Sequence, residues 1–414
     1  MKAHFIVIRL VALACAIVLA ACSGAMREKA PTEVEVTRYL ADKPPQLIPL
    51  YEKVIRGGRS NLVLNHMEAG LAAMEIGEYD WARHSFEIAA REIETVFADN
   101  ERAAKARGLW YEEGKKVFKG EPYERAMVYY YLGILDMMRG DYENARAAFK
   151  SGILQDAFAE EKQNRADFAL LIFLEGWASQ CLGDEDLTRA AYDEALKLRP
   201  DLRIPPPDHN TLILVETGKS PRKLADGVGH YELVYRRGKN FEEKAAMAVL
   251  PGGAAKLYPI EDIAWQAMTR GGRPIDRILE GQVVFKRTNI KIGTVMSEAA
   301  TGAIIASTAS DRYADEFRAT GVALGLVSVV PLAIASQVKT RADTRYWSNL
   351  PDAVHAATAK LDRNNLEADI VYLDEDGRML SSMREKTRAI PLSEKRYLIW
   401  DRSRDALQQA LNKP

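Results

Sequence analysis

Three stretches of this chain place a small residue and an aromatic at one fixed separation. Gly70 precedes Phe86, Gly133 precedes Phe149 and Gly176 precedes Tyr192, with the same offset in all three. A turn glycine (Gly77, Gly140, Gly183) lies inside each stretch. Ala82 and Ala145 follow in the first two, and Thr188 takes that place in the third. Such spacing describes an antiparallel helix pair. The small residue on the first helix admits the second, the glycine ends the first helix in a left-handed conformation, and the aromatic fills the space beside the close contact. The spacing predicts helical hairpins between about Asn61 and Pro200.

This signature resembles the tetratricopeptide repeat, and Tyr129 to Leu154 matches it best. The repeats are not contiguous. Their glycines lie 63 and then 43 residues apart, against a period of about 34. The basic-acidic stretch Asn100 to Val117 reads as an inserted helix pair in the first gap, and Asp156 to Arg165 lengthens the link in the second. The resemblance implies a concave face carried by the first helices. Its positions are Leu64, Met67, Leu71 and Met74; Met127, Tyr130, Ile134 and Met137; Leu170, Phe173, Trp177 and Gln180. All but Gln180 are apolar or aromatic, and a soluble monomer does not leave such a surface open without a purpose. Either another element of the chain fills it, or it is a partner-binding groove for an apolar helix or peptide.

After Pro200 the pattern changes. Pro205-Pro206-Pro207 is a stiff break, and Thr211 to Glu216, His230 to Arg236 and Gln282 to Lys286 read as strands. Ala368 to Leu373 and Arg378 to Met383 read as a hairpin around Asp374-Glu375-Asp376-Gly377, with a last strand at Tyr397 to Trp400. Residues 292–338 hold two Ala/Gly-rich helical stretches. The second, Ala319 to Val338, has the length of a membrane span and contains Gly321 and Gly325 at the close-packing spacing. Pro331, Ser328 and Gln337 argue instead for a packed soluble hairpin. The expected fold is α+β and mainly α: a tetratricopeptide-like array at 47–204, then a small mixed region at 205–414 whose sheet docks on the helices.

The N-terminus addresses location. Lys2 and Arg9 precede an apolar run, Leu10 to Ala21, too short to cross a bilayer. It closes on Leu19-Ala20-Ala21-Cys22, which resembles the lipobox of bacterial lipoproteins. The resemblance implies a signal peptide at 1–21, cleavage between Ala21 and Cys22, and acyl chains on Cys22. Each buried CH₂ contributes about 0.8 kcal/mol, so two or three chains anchor stably. Ser23 is not the Asp that resembles a retention signal for the inner membrane, which implies the outer membrane, periplasmic face. Residues 22–46, polar and with Pro31, Pro44 and Pro45, read as a lipidated tether with a reach of roughly 25 Å.

Gly120-Glu121-Pro122-Tyr123-Glu124-Arg125-Ala126 and Arg341-Ala342-Asp343-Thr344-Arg345-Tyr346-Trp347 with Leu350-Pro351 complete the picture. With the lipobox and repeats they resemble a group of bacterial tetratricopeptide outer-membrane lipoproteins to which no reaction is attached. Arg341, Asp343, Arg345 and Trp347 read as charges that bond loop carbonyls beside a packed indole, or as an exposed anchor for a partner.

Composition narrows the chemistry. Loss of Lys2 and Arg9 with the signal takes the formal charge from −1 to −3, so no basic excess is present to hold nucleic acid. Cys181 is the one thiol left besides Cys22, which excludes an internal disulfide. The six His have no metal-ligand spacing. There is no Gly-x-Ser-x-Gly, His-Glu-x-x-His, complete phosphate-cradling Gly-x-x-x-x-Gly-Lys-Ser/Thr loop or Cys-x-x-Cys. Asp374, Glu375 and Asp376 read as solvated turn acids rather than a calcium site. The expectation is a non-catalytic scaffold with no cofactor, metal or small-molecule substrate, whose partners are the outer membrane and another envelope protein. The alternatives are a subunit of a secretion or export assembly whose Ala/Gly hairpin contacts lipid or a neighbour, and an unrecognised cell-wall hydrolase.

Overall fold

The structure is a computed structural model that describes residues 30–98, 117–157, 167–226, 232–269, 343–393 and 395–412. Helix covers about 48% of it and strand about 21%, with the long helices first and the strands after, so the fold is α+β. Residues 22–29, the stretch 99–116 and the Ala/Gly-rich segment 292–338 lie outside the described residues, as does the strand expected at Gln282 to Lys286. No helix among the described residues is long and apolar enough to cross a membrane.

The first described helix, α1 (Glu33–Leu40), corrects the tether at 22–46. Thr32 accepts the backbone N–H of Glu35, while the Glu35 carboxylate takes the backbone N–H of Thr32 at 2.7 Å. This capping box nucleates a helix where proline content suggested coil. Val36 of α1 is buried, and the Tyr39 ring stands edge-on to Tyr51 at 6.4 Å. Over Glu33–Leu40 the chain is therefore a packed helix and not a polar tether.

Next come α2 (Ile48–Arg56) and three helix pairs: α3 (Gly58–Glu75) with α4 (Tyr79–Ala98), α5 (Pro122–Met138) with α6 (Tyr142–Ala157), and α7 (Ala169–Leu182) with α8 (Glu185–Leu198). Each first helix ends at a glycine with φ near +80°: Gly77 at 81°, Gly140 at 74° and Gly183 at 78°. Past the last of these turns, Asp184 caps α8 by accepting the Leu187 N–H. Neighbouring pairs touch through α4 with α5 and α6 with α7. The glycine and aromatic of each stretch meet: a Cβ on Gly70 would lie 3.0 Å from Phe86, on Gly176 2.5 Å from Tyr192, and on Gly133 closer still to Phe149.

The strands are β1 (Thr211–Thr217), β2 (Arg222–Asp226), β3 (Glu232–Arg236), β4 (Ala245–Leu250), β5 (Gly253–Lys256), β6 (Tyr258–Asp262), β7 (Ala353–Ala359), β8 (Glu367–Leu373), β9 (Glu385–Arg388), β10 (Ile390–Pro391) and β11 (Tyr397–Arg402). Two short helices, α9 (Ile263–Met268) and α10 (Ala406–Leu411), accompany them. One sheet has the order β10-β11-β1-β7-β6 and a second β5-β4-β8-β9, with β2 and β3 as a separate ribbon. Among the described strands, β1 with β11 is the one parallel pair.

Residues 253–262 pair first with β4 and then, past Leu257, with β7. Residues 385–391 likewise pair with β8 and then, past Ala389, with β11. At both corners the crossing residue keeps its ladder bond, Leu257 N to Ala246 O and Ala389 N to Leu366 O. The two sheets thus close into a small barrel, which leaves little strand edge exposed. Leu257 and Ala389 point into its core with Ile213, Val215, Ala248, Ile370 and Ile399.

β1 is buried along its whole length because each face meets a different layer. Leu212 and Leu214 join the core shared with the helices, and Ile213 and Val215 join the barrel interior. The helix-side core runs from Leu47 to Ala410, so residue 205 marks a change of element type, not of core.

Other expectations shift. Of the strand expected from His230, Glu232–Arg236 is seen and 230–231 lie outside the described residues; that at Tyr397 to Trp400 extends to Arg402. Beyond the Gly377 turn, Arg378 to Met383 makes one bridge, Leu373 to Met379, and a 3-10 turn; β8 pairs instead with β4 on one side and β9 on the other. Asp374 accepts the backbone N–H groups of Asp376 and Arg378, and that occupies the turn.

The three glycine contacts predict an order of sensitivity. Gly133→Ala costs about 2 kcal/mol through overpacking, Gly176→Ala somewhat less, and Gly70→Ala is near neutral because helix propensity returns about 1 kcal/mol. Urea midpoints of the three variants check this; equal shifts would mean that these contacts do not set the helix spacing.

Candidate functional site

The groove residues expected from the repeat are all accounted for, and none faces outward. Leu64, Met67, Leu71, Met74, Met127, Tyr130, Ile134, Met137, Leu170, Phe173 and Trp177 are buried, and Gln180 is half-buried. They share one core with Leu212, Leu214, Trp347, Leu350, Leu398, Ala406 and Ala410. The partner-binding groove is corrected accordingly: the chain's own later elements occupy it, because an apolar face of this size is satisfied most directly from within.

Trp347 is the central plug. It is fully buried, and its indole lies 6.0 Å from Phe86 and 5.8 Å from Tyr131, which itself stacks on Phe86 at 5.4 Å. Phe86 is the same ring that fills the Gly70 contact, so one aromatic closes the first hairpin and receives the plug. The Trp347 backbone N–H donates to Glu124 Oε1 at 2.6 Å. Burial pushes the Glu124 carboxyl up to about 7, against the pull of Lys223. Lys223 itself donates to Glu121 Oε1 at 2.5 Å. Arg345 donates to the Ser60 carbonyl and to Asn61 Oδ1, and Asn349 Nδ2 to the carbonyls of Glu68 and Ala406. The two motif passages therefore meet each other: the 120–126 segment supplies acceptors and the 343–352 segment inserts. Of the named quartet, Asp343, Arg345 and Trp347 act structurally, and Arg341 lies outside the described residues.

A second set of polar groups lies deeper. Glu216, on β1, and Arg402, on β11, form an ion pair at 3.0 Å with side chains 0% and 3% exposed. The Glu216 carboxylate also accepts from Tyr131 Oη at 3.0 Å and from Trp400 Nε1 at 3.0 Å. Burial raises its pKa, and Arg402 opposes that rise. Arg402 spends another N–H on the Asn349 carbonyl, and Glu75 accepts the Ala406 backbone N–H at the start of α10. One carboxylate thus ties helix α5, the central sheet and the C-terminal strand together. The regular pattern of the repeats gave no signal for Glu216 or Arg402. Glu216 ends an apolar run, Thr211 to Val215, and that position was its only mark.

Cys181 is free and half-buried, and burial pushes its thiol up to about 11, so it is a poor nucleophile. No group of three or more His, Cys, Asp or Glu among the described residues is arranged to hold a metal. Ala21 and Cys22, the expected cleavage and lipidation site, lie outside the described residues. One open cleft of about 510 Å³ is lined by residues of the barrel's end, among them His209, Leu361, Arg363, Lys395, Arg396 and Tyr397. Another, of about 420 Å³, lies between α2 and α3 around Lys53, Arg56 and Asn65. Comparison with family models, with curated proteins and with solved structures finds no match.

The buried pair predicts a non-additive pattern. Arg402→Met strands the Glu216 carboxylate and destabilises the fold by about 3–5 kcal/mol, while the double variant with Glu216→Gln recovers most of that loss. Denaturant titrations of the singles and the double measure the coupling. Additive losses would show that the two side chains do not act as a pair.

Proposed function

We propose that this chain is a non-catalytic scaffold of the bacterial cell envelope, fixed to the outer membrane through an acylated Cys22 and facing the periplasm, that holds another envelope protein. The observation that carries this reading is the stack of three glycine-locked hairpins with its inner face filled by the same chain. A tetratricopeptide-like array describes the hairpins, since their offsets and left-handed turns repeat. Filling the concave face makes a rigid body and moves partner contact to the outer helix faces and the barrel. The buried charges support the same reading, because Glu216, Glu121 and Glu124 are committed to holding layers together. Leu19-Ala20-Ala21-Cys22 supports the anchor.

Crosslinking in intact envelopes followed by purification tests the whole proposal. The wild type is expected to bring down one defined envelope protein, and mass spectrometry to find acyl groups on Cys22. Cys22→Ala is expected to leave the outer-membrane fraction. If that variant stays, or the wild type begins with an unmodified residue, the anchor is wrong.

One observation favours the second reading, a subunit of an export assembly. β6 and β7, which flank residues 270–342, pair directly with each other, and Asp352 O accepts the Ile263 N–H. The described fold is closed on both sides of that segment. Deletion of residues 292–338 should then abolish assembly while circular dichroism and urea midpoint stay as in the wild type; an unchanged assembly rejects the reading.

A further inference from the structure

The barrel has a mouth where β1 and β11 begin and β7 ends, and the cleft of about 510 Å³ opens there. That volume lies in the range of small-molecule sites, and barrel mouths are a common place for them. Its floor is Leu361 and Tyr397, both part of the barrel core. Its rim carries Arg363, Lys395 and Arg396. The one carboxylate among its described lining residues, Asp208, accepts from Lys360 Nζ at 3.2 Å, and that bond lowers its pKa. Asp208 and Lys360 offset each other, so the described rim residues keep an excess of positive charge.

The three rim cations are not equivalent. Arg396 is half-buried and fixed: it donates one N–H to the His209 carbonyl at 2.7 Å and lies over the Trp177 ring at 5.6 Å. Stacking and a carbonyl bond hold a guanidinium in one plane at little cost to its charge. Arg363 and Lys395 are exposed and have no ion-pair partner among the described residues. Some surface cations pair, as Arg378 does with Asp374 and Arg384 with Asp369, and others stand alone; these two are set apart by their place at the rim of a concave cleft beside the fixed Arg396. One preset cation and two free ones around a concave floor make a receptor for a multiply charged anion. A phosphate group suits three cations better than a singly charged carboxylate does.

We propose that this mouth is a phosphate-binding site, with Arg396 as the fixed contact and Arg363 and Lys395 closing over the anion. The site stands apart from anchoring and scaffolding, because the pull-down can succeed with the cleft empty.

The test uses the full mature chain with Cys22→Ala, so that acyl chains do not drive vesicle binding. Calorimetric titration with inorganic phosphate forms one arm. Flotation with vesicles of phosphatidylcholine, with and without phosphatidylglycerol, forms the other. Saturable binding that weakens with added salt is expected in at least one arm. The double variant Arg363→Ala/Lys395→Ala should bind about tenfold more weakly. Lys386→Ala, on the outside of the barrel, should bind as the parent does. Binding in solution assigns a soluble phosphorylated molecule, and binding to phosphatidylglycerol vesicles alone assigns a lipid headgroup. No binding in either arm, or a double variant as tight as its parent, overturns the proposal.

Discussion

The structure depends on how the inner face of the helical stack is covered. Three first helices present methionines, leucines and aromatics toward one side, and elements from the second half of the chain cover them. β1, the 343–352 segment, β11 and α10 do so together. The cover holds because its polar atoms find partners on arrival. Trp347 brings a backbone N–H that meets Glu124, Asn349 brings an amide that meets two carbonyls, and Glu216 and Arg402 arrive as a pair. Apolar contact supplies the drive, and the bonds select one placement of plug and strand over a loose collapse. In this view the buried charges specify more than they stabilise.

Much of the helical half was legible because it depends on local rules. A glycine that must take positive φ and an aromatic that must meet a small residue leave fixed marks, and the Gly70, Gly133 and Gly176 contacts lie where the spacing predicted. The first helix was missed although its mark was present: Thr32 and Glu35 form the capping box, and the neighbouring prolines drew the reading toward coil. The strands were harder. β4 and β7 read Ala-Ala-Met-Ala-Val-Leu and Ala-Val-His-Ala-Ala-Thr-Ala. A small closed barrel has room inside for alanine at Ala246, Ala248 and Ala359, and alanine carries no β-branched signal. The site-bearing residues were hidden for another reason. Glu216 and Arg402 lie far apart in sequence, and their meeting depends on the parallel pairing of β1 with β11.

The barrel and the helical stack share β1, and this strand gives the molecule its unity. One set of its side chains completes the groove and the other completes the barrel interior. Leu212 therefore serves the helix-side layer and Val215 the barrel, from one strand. The rim of the barrel is tied in as well, since Arg396 at the cleft rests on Trp177, a residue of the covered face.

Pairing β1 with β11 and seating α10 against α3 have a consequence for how the molecule is born. Thr211 must wait for Tyr397, and the helix around Met67 and Leu71 must wait for Ala406 and Ala410. A chain delivered from its N-terminus exposes its stickiest helices long before their lid is made. Maturation is thus tied to the arrival of Ala406 and Ala410, and a polypeptide cut short before Ala406 would be a natural client for holding chaperones.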